Sequence, residues 1–546
     1  MAYLALLFLL IFAALVGRLG YLMLARGEAL AAQATQQMSR SLDYYQYARG
    51  DIMDRNGRSF TGRREPCLVL IPSMLSNIPQ LASTLSDLLS LDEELTLSRL
   101  EAVKRQLLAP HVFKTGLSLS EAEALRTAEL PGVLVLTLAA RYGQEGVAAH
   151  IIGQVQVGEK ADMMIGVSGI EGQYHKELAG RLDDKVVSWV DAKGRLSSSD
   201  WHVYAPQHRL RQDVWLTLDL DYQQIAQRAL AEHQGACVIL DPHTGDILAA
   251  ASTPGFDPYG WYPPATTDAL VNKVFSSYPP ASTFKILLAL AAAERGLPAA
   301  MEEFCCTGSA QIGDSHTINC WNRSGHGILD LAHALAGSCN CYFATLGWEM
   351  GGDTLHRYLK QCGLDNQHII GYKAPVVGAS LQFNARVAGD MANVSIGENG
   401  VRLTPLQVAQ LVAITANGGY VVNPRLTQAV YDQNGRMVSE LAPEPPRRAV
   451  GEKSALAVAD MMRLAVLQGT LRGLQNALLP VAAKSGTTEG AGVWCAGFAP
   501  YKPGDSQAAR WTIAVYVADG RAGGQEAAAV MKRVVDDLAL LEGMVE

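Results

Sequence analysis

The first seventeen residues, MAYLALLFLLIFAALVG, carry no charged side chain, and the apolar pattern continues past Arg18 through Leu19, Tyr21, Leu22, Met23 and Leu24. At about 1.5 Å rise per residue, about 24 helical residues cover a hydrocarbon core of about 30 Å. Residues 1–25 are therefore expected to form one membrane-spanning helix, with Arg18 snorkelling and Tyr21 at the interface. Ala29-Leu30-Ala31 offers a small-residue cleavage site, but the basic start of a signal peptide is missing. Arg18 and Arg26 follow the span, so the positive-inside rule alone favours an outward N-terminus.

Beyond the span the periodicity changes. From Glu28 to about Gln212 short β-like runs alternate with helical stretches and turns. Leu81, Leu85, Leu88, Leu89 and Leu100 recur at helical spacing within Met74 to Leu107, and Ser118 to Ala128 reads as a second helix. No nucleophile, base or Gly-rich loop gathers there, and Asp183-Asp184 reads as a solvated turn. A second region begins near Asp213 with VWLTLDL, a helical stretch from Tyr222 to Glu232, and ACVIL and DILAAAS joined by a turn at Asp241-Pro242-His243-Thr244-Gly245. The chain ends with VWCAGFA, WTIAVYVA and a helix from about Gln525 to Leu541. Antiparallel strands with helices packed on them predict an α+β domain over residues 211–546, preceded by a separate, elongated domain over 26–210.

Composition narrows the function. The chain has 546 residues, 49% hydrophobic and 18% charged, with 51 glycines and 23 prolines, so it buries a large core and is neither collagen-like nor low-complexity. With 45 Lys and Arg against 53 Asp and Glu and no basic block, the footprint of a nucleic-acid binder is missing, and no nucleic-acid partner is expected.

The chemistry concentrates in three short segments. Tyr278-Pro279-Pro280-Ala281-Ser282-Thr283-Phe284-Lys285 runs into ILLALAAAERG, so the prolines halt the preceding chain and Ser282 falls at a helix N-terminus. Three residues on, Lys285 lies on the same face and can act as base for the Ser282 hydroxyl if burial or nearby cations hold it neutral. Ser-x-x-Lys alone is a weak signal. Ser338-Cys339-Asn340 follows between two helical runs, and Lys484-Ser485-Gly486-Thr487 ends a small-residue strand. This ordered trio is shared by β-lactamases and penicillin-binding proteins. Ser338 can relay a proton between Lys285, Lys484 and a leaving amine, and Asn340 can bind a substrate carbonyl. Lys484 adds charge that keeps Lys285 deprotonated and attracts a carboxylate. The Ser485 hydroxyl can donate to that carboxylate, Gly486 admits a substrate strand, and the N–H groups of Ser282 and Thr487 could form an oxyanion hole.

On these motifs the sequence resembles the class B penicillin-binding proteins, membrane-anchored monofunctional peptidoglycan D,D-transpeptidases. The likeness runs nearly end to end. It includes Gly17-Arg18-Leu19-Gly20-Tyr21-Leu22, the segment from Arg49 to Gly57, Gly166-Val167-Ser168-Gly169-Ile170-Glu171 with Tyr174 and Leu178, Leu216-Thr217-Leu218-Asp219, Asp241-Pro242 with Thr244-Gly245, and Thr404-Pro405-Leu406-Gln407 with Ala416-Asn417-Gly418-Gly419. The resemblance implies that 26–210 is a non-catalytic pedestal for dimerisation or partner binding, and that the catalytic domain is extracytoplasmic. It also implies acylation of Ser282 by a stem peptide ending in D-Ala-D-Ala, transfer to a neighbouring amine, inhibition by β-lactams, and a SEDS-family membrane glycosyltransferase as partner. No cofactor is implied. The same motifs fit a D,D-carboxypeptidase or β-lactamase, in which water replaces the amine, and a β-lactam sensor or wall-synthesis scaffold without turnover. The chain departs from the family pattern at Gly397-Glu398-Asn399, where Gly-Gln-Gly is frequent, and at Cys495, where an aromatic is expected after Trp494.

Cys305, Cys306, Cys320, Cys339 and Cys341 lie between the first two motifs, within the second or directly after it, interleaved with Asp314, His316 and His326. A disulfide from Cys305 or Cys306 to Cys320 would close a loop of about 15 residues, worth about 3 kcal/mol in the chain-entropy model, and is the first reading. Zinc held by Cys320, His326 and some of Asp314, His316 or Cys306 is the second, but the spacing matches no regular motif, so no metal is assigned. Reduced, buried thiols are the third reading, and the one expected for Cys67, Cys237 and Cys362. His150 and His243 are isolated and are expected to satisfy local hydrogen bonds.

Overall fold

Residues 220 to 253 show how the catalytic region is assembled. Asp219 caps a helix (Leu220–Leu230, α1) by accepting from the N–H groups of Asp221 and Tyr222. Two strands follow, Gly235–Leu240 (β1) and Ile247–Thr253 (β2), paired antiparallel. The computed structural model describes residues 2–24, 39–47, 49–106, 111–142, 146–157, 164–179, 182–190, 196–204, 211–256, 258, 267–301, 303–365, 368–373, 380–488, 490, 492–520 and 524–545. Within them Lys285–Arg295 (α2), Leu331–Ala336 (α3), Asn340–Met350 (α4), Pro405–Ala416 (α5) and Glu452–Leu467 (α6) precede Ala482–Thr488 (β3), Gly492–Ala499 (β4), Trp511–Val517 (β5) and Gln525–Leu541 (α7).

The five strands form one antiparallel sheet in the order β2-β1-β5-β4-β3. Both faces are covered, so β1, β4 and β5 are buried at every position rather than alternating. Cys237, Ile239 and Val515 meet α1 and α7, where Ile225, Val530 and Val534 are buried. Ala236, Val238, Trp494 and Tyr516 face the opposite core with α2, α4 and α5. The predicted α+β architecture is present, and β3 is one of the two edge strands.

The region before residue 211 contains its own small core. Arg63–Leu70 pairs antiparallel with His111–Lys114 and Val133–Ala140, and helices Ile78–Leu89, Glu93–Gln106 and Leu119–Thr127 bury Leu81, Leu85, Leu100 and Leu125 against it. The single helical run expected from Met74 to Leu107 is two helices, because Ser90 turns left-handed at φ +51°. The second predicted helix is present, with Ser118 and Glu121 forming a capping box. Asp183-Asp184 is not a turn but lies inside strand Leu182–Val190, paired with Ser39–Tyr47 and Leu196–Tyr204.

The N-terminal helix spans Ala2–Leu24, and its apolar side chains described between Leu7 and Tyr21 are mostly exposed. Among the described residues no helix is long and apolar enough to cross a membrane. Ala29-Leu30-Ala31 lies outside the described residues.

One polar clamp ties the N-terminal region together, and a second joins it to the catalytic domain. Glu171 is fully buried and accepts from Arg49 Nε at 2.9 Å and from Arg141, which also donates to the Gly50 carbonyl at 2.7 Å. Arg58 binds Asp54, Asp219 and Asp221 at 2.9, 3.1 and 2.7 Å, while Asn56 donates to Asp219 at 2.7 Å. The start of α1 is thus tied to the Arg49 to Gly57 segment. Ile52–Met53 also pairs parallel with Gln212–Leu216, which pairs antiparallel with Thr427–Asp432, so one sheet crosses the expected boundary at 210. Glu171→Ala leaves two buried guanidinium groups without their carboxylate and is expected to cost about 3 to 5 kcal/mol, read as a lowered unfolding free energy in denaturant.

Candidate active site

The turn carrying Ser282 is fixed from outside. Tyr278 exchanges backbone hydrogen bonds of 2.9 Å with Leu403 and stacks on Tyr516 at 4.1 Å, and Trp494 Nε1 donates to the Pro279 carbonyl at 2.9 Å. Ala281 then adopts φ +49°, and its N–H donates to the Gly397 carbonyl at 2.8 Å. Gly397 has φ +82°, and a Cβ there would lie 1.8 Å from the Ala281 carbonyl oxygen, so only glycine permits this approach. A 3₁₀ turn, Ala281–Phe284, runs directly into α2 and leaves Ser282 half-buried at its start. The neighbouring Glu398 is half-buried, with its charge acting on Lys285, and Asn399 is exposed.

Lys285 is fully buried, and its three hydrogen bonds account for the three donors of an ammonium. They go to the Ser338 carbonyl at 3.0 Å, Ser338 Oγ at 3.4 Å and Asn340 Oδ1 at 2.7 Å, and none goes to Ser282. Lys484, also fully buried, donates to the same Ser338 Oγ at 2.8 Å and to the Ser485 carbonyl at 2.9 Å. Ser338 is held at φ +55° in the loop between α3 and α4. Burial pushes Lys285 down to about 8. It also pushes Lys484 well below its ordinary value, with the Lys285 charge adding to the effect. Of the two causes the sequence offered for Lys285, burial and nearby cations, burial is the one that lowers it, and the charge effect falls on Lys484 instead.

On the edge strand the trio is completed by Gly486, where a Cβ would stand 3.1 Å from that of Ala281 and 3.2 Å from the Pro280 carbonyl oxygen. Thr487 is exposed beyond it. Ser485 is buried, and its Oγ is paired at 2.7 Å with Thr470 Oγ1, a residue the motif reading missed. The signal that could have found it is Gly469, where a Cβ would lie 2.2 Å from the Ala336 carbonyl oxygen, drawing the end of α6 against α3. Cys495 is buried on the far face with its sulfur 3.4 Å from Met531 Sδ, so that departure does not line the cleft.

All nine cysteines are free thiols, so the expected disulfide is not formed. Cys305 is exposed while Cys306 is buried, since adjacent residues of strand Phe304–Cys306 face opposite ways. Cys306, Cys320, Cys339 and His326 converge on one another. Asp314 and His316 lie elsewhere, at the turn of the hairpin Ser309–Ile312 and His316–Asn319, with His316 against Gly389. His150 Nε2 pairs with the Ala269 carbonyl at 2.8 Å and His243 Nε2 with that of Ala509 at 3.0 Å, the local roles expected of them.

A model of the penicillin-binding protein transpeptidase domain matches residues 235–536, and one of the penicillin-binding protein dimerisation domain matches 45–207. Stage V sporulation protein D of Bacillus subtilis is 27% identical over 504 residues, covering 89% of this chain and 76% of that protein. The peptidoglycan D,D-transpeptidase MrdA of Escherichia coli is 28% identical over 491 residues, covering 79% of this chain and 76% of its own length. Among solved structures, the D,D-transpeptidase domain of a peptidoglycan glycosyltransferase from Eggerthella lenta superposes with a TM-score of 0.60 at 26% identity, covering 76% of this chain and 94% of that one.

A base must be neutral to accept a proton, and the neutral form of Lys285 accumulates as pH rises toward about 8. Covalent modification of Ser282 by an acylating probe is therefore expected to accelerate about tenfold per pH unit below that value and to level off above it, measured as a second-order rate across the pH range.

Proposed function

Because this chain belongs to the class B penicillin-binding proteins, the peptidoglycan D,D-transpeptidases, we propose that it cross-links stem peptides through an acyl-enzyme at Ser282. The observation that carries the reading is the buried pair Lys285 and Lys484 sharing the hydroxyl of Ser338. As an ammonium, Lys285 has no lone pair for Ser282. On losing a proton it gives up its longest contact, to Ser338 Oγ, which Lys484 already holds, and the freed lone pair can turn to the Ser282 hydroxyl.

Ser282 then attacks the carbonyl of the penultimate D-Ala, and its proton passes to Lys285. The Ser282 and Thr487 N–H groups receive the developing oxyanion. The proton travels from Lys285 through Ser338 to the departing amine of the terminal D-Ala, and the acyl group remains as an ester on Ser282. An amine from a neighbouring strand reverses the sequence, forming the new amide and releasing Ser282. The stem peptide lies along the exposed side of β3, where Gly486 allows close approach, and Asn340 Nδ2 binds a backbone carbonyl while Oδ1 stays with Lys285. Lys484, Ser485 and Thr487 attract the terminal carboxylate, with Ser485 acting in concert with Thr470. β-Lactams enter by the same acylation.

We assign residues 1–25 as membrane anchor, 26–210 as pedestal and 211–546 as catalytic domain, extracytoplasmic, with the pedestal and anchor meeting a SEDS-family glycosyltransferase. The uncharged start of the chain and the exposed apolar surface of its first helix support the anchor.

Labelling with a fluorescent penicillin tests the core of the reading. Ser282→Ala is expected to lose all labelling, and Ser338→Ala to slow it by about 10²- to 10⁴-fold, the range of a lost proton relay. Undiminished labelling of Ser282→Ala would remove Ser282 as nucleophile. Incubating the labelled-competent protein with a D-Ala-D-Ala peptide and an amine acceptor should give the cross-linked product. Release of the free acid alone would assign a carboxypeptidase.

A further inference from the structure

On the reading of this site as a D,D-transpeptidase, we propose that Thr470 is a positioning residue that aims the Ser485 hydroxyl at the terminal carboxylate of the stem peptide and ties the second active-site motif to the third. Thr470 Oγ1 stands 2.7 Å from Ser485 Oγ. Ser485 is buried, and among the described residues Thr470 is the one partner of its hydroxyl.

Thr470 follows α6 in a turn that local bonds fix. The N–H groups of Gly469 and Leu471 both donate to the Ala465 carbonyl at 3.1 Å, and buried Leu471 anchors the turn in the core shared with α1 and α7. A Cβ at Gly469 would lie 2.2 Å from the Ala336 carbonyl oxygen, so the turn rests directly on the end of α3. The Thr470 N–H donates to that same carbonyl at 3.4 Å. Ala336 stands two residues before Ser338, and Ser485 stands one residue after Lys484. One residue is thus tied by its backbone to the approach to Ser338 and by its side chain to β3. The head of α7 closes on the same serine, since a Cβ at Gly524 would lie 3.1 Å from the Ser485 Cβ.

Proton accounting gives the direction of the bond. A hydroxyl has one proton to donate, and a carboxylate only accepts. If Ser485 spent its proton on Thr470, its oxygen would turn lone pairs toward the incoming carboxylate and repel it. In the binding arrangement Thr470 O–H therefore donates to Ser485 Oγ, and Ser485 O–H donates to the carboxylate, a chain in which each bond polarises the next. A serine has no β-branch to limit χ1, so the direction of this hydroxyl rests on its partner. Thr487, two residues along β3, projects from the same face and is exposed, which places the carboxylate over that end of the strand.

The test compares benzylpenicillin with its methyl ester, which lacks the carboxylate, as acylating probes of the full chain, with the rate followed against probe concentration. Thr470→Val keeps the shape and the backbone bond but removes the donor. It is expected to raise the half-saturating concentration of the acid about 3- to 10-fold, with the loss falling there rather than on the limiting rate, so that the preference for acid over ester drops by the same factor. Thr470→Ser restores the donor and is expected to recover the affinity, and Thr470→Ala is read in the same way as the valine variant where valine does not fit. In a Ser485→Ala background, Thr470→Val is expected to add no further loss, as for two residues acting through one hydrogen bond. Equal losses for acid and ester, additive losses in the double variant, or wild-type behaviour of both Thr470→Val and Thr470→Ala would overturn the role while leaving the transpeptidase reading intact. Absence of acylation in the folded wild type would overturn that reading, and the role with it.

Discussion

Two lysines in a space without water compete for one hydroxyl, and the catalytic half of the molecule is arranged around that conflict. A buried ammonium is costly unless its donors are satisfied, and two such groups side by side cannot both stay charged cheaply. Ser338 resolves this by standing between them, with Asn340 and two backbone carbonyls taking the remaining donors. Each participant belongs to a different element: α2 brings Lys285, the loop between α3 and α4 brings Ser338 and Asn340, and edge strand β3 brings Lys484. Moving any of the three would strand a buried charge. The site therefore holds its scaffold in register as much as the scaffold holds the site.

That arrangement stores backbone strain where the chemistry occurs. Ala281 and Ser338 both adopt left-handed conformations that cost non-glycine residues about 1 to 3 kcal/mol each and persist only when their surroundings over-determine them. For Ala281 the surroundings are the Gly397 carbonyl on one side and the Trp494, Tyr278 and Tyr516 cluster on the other. For Ser338 they are two ammonium donors and the Cys339 cap of α4. The small residues at positions 397 and 486 are space made for a tight turn and an open strand edge.

The N-terminal region is held and joined by charges. Glu171 is shared by two buried guanidinium groups within that region, and Arg58 gathers Asp54 of the same region with Asp219 and Asp221 at the start of α1. Removing the buried carboxylate would strand two charges in the interior, so the first cluster is expensive to break. The sheet that runs from Ile52–Met53 through Gln212–Leu216 to Thr427–Asp432 extends the joint into the backbone itself.

Local physics was legible in the sequence. The helix predicted from Gln525 to Leu541 has those bounds, the Ser118 and Glu121 pair marks a helix start, and the paired prolines place Ser282 at the head of α2. These depend on neighbours within a few residues, where periodicity and capping act. The α+β class and the three motifs were readable for the same reason: each is a short segment with its own signature. Distance along the chain hid the rest. That Lys285 spends its donors on Ser338 and Asn340, that Ser485 pairs with Thr470, and that Cys305 turns outward while Cys306, Cys320, Cys339 and His326 meet, all follow from how the edge strand, the hairpins and the helices pack. Spacing in sequence says which side chains can reach a neighbour one turn away. Which hydroxyl lies between two buried lysines is decided only when segments hundreds of residues apart exclude water together.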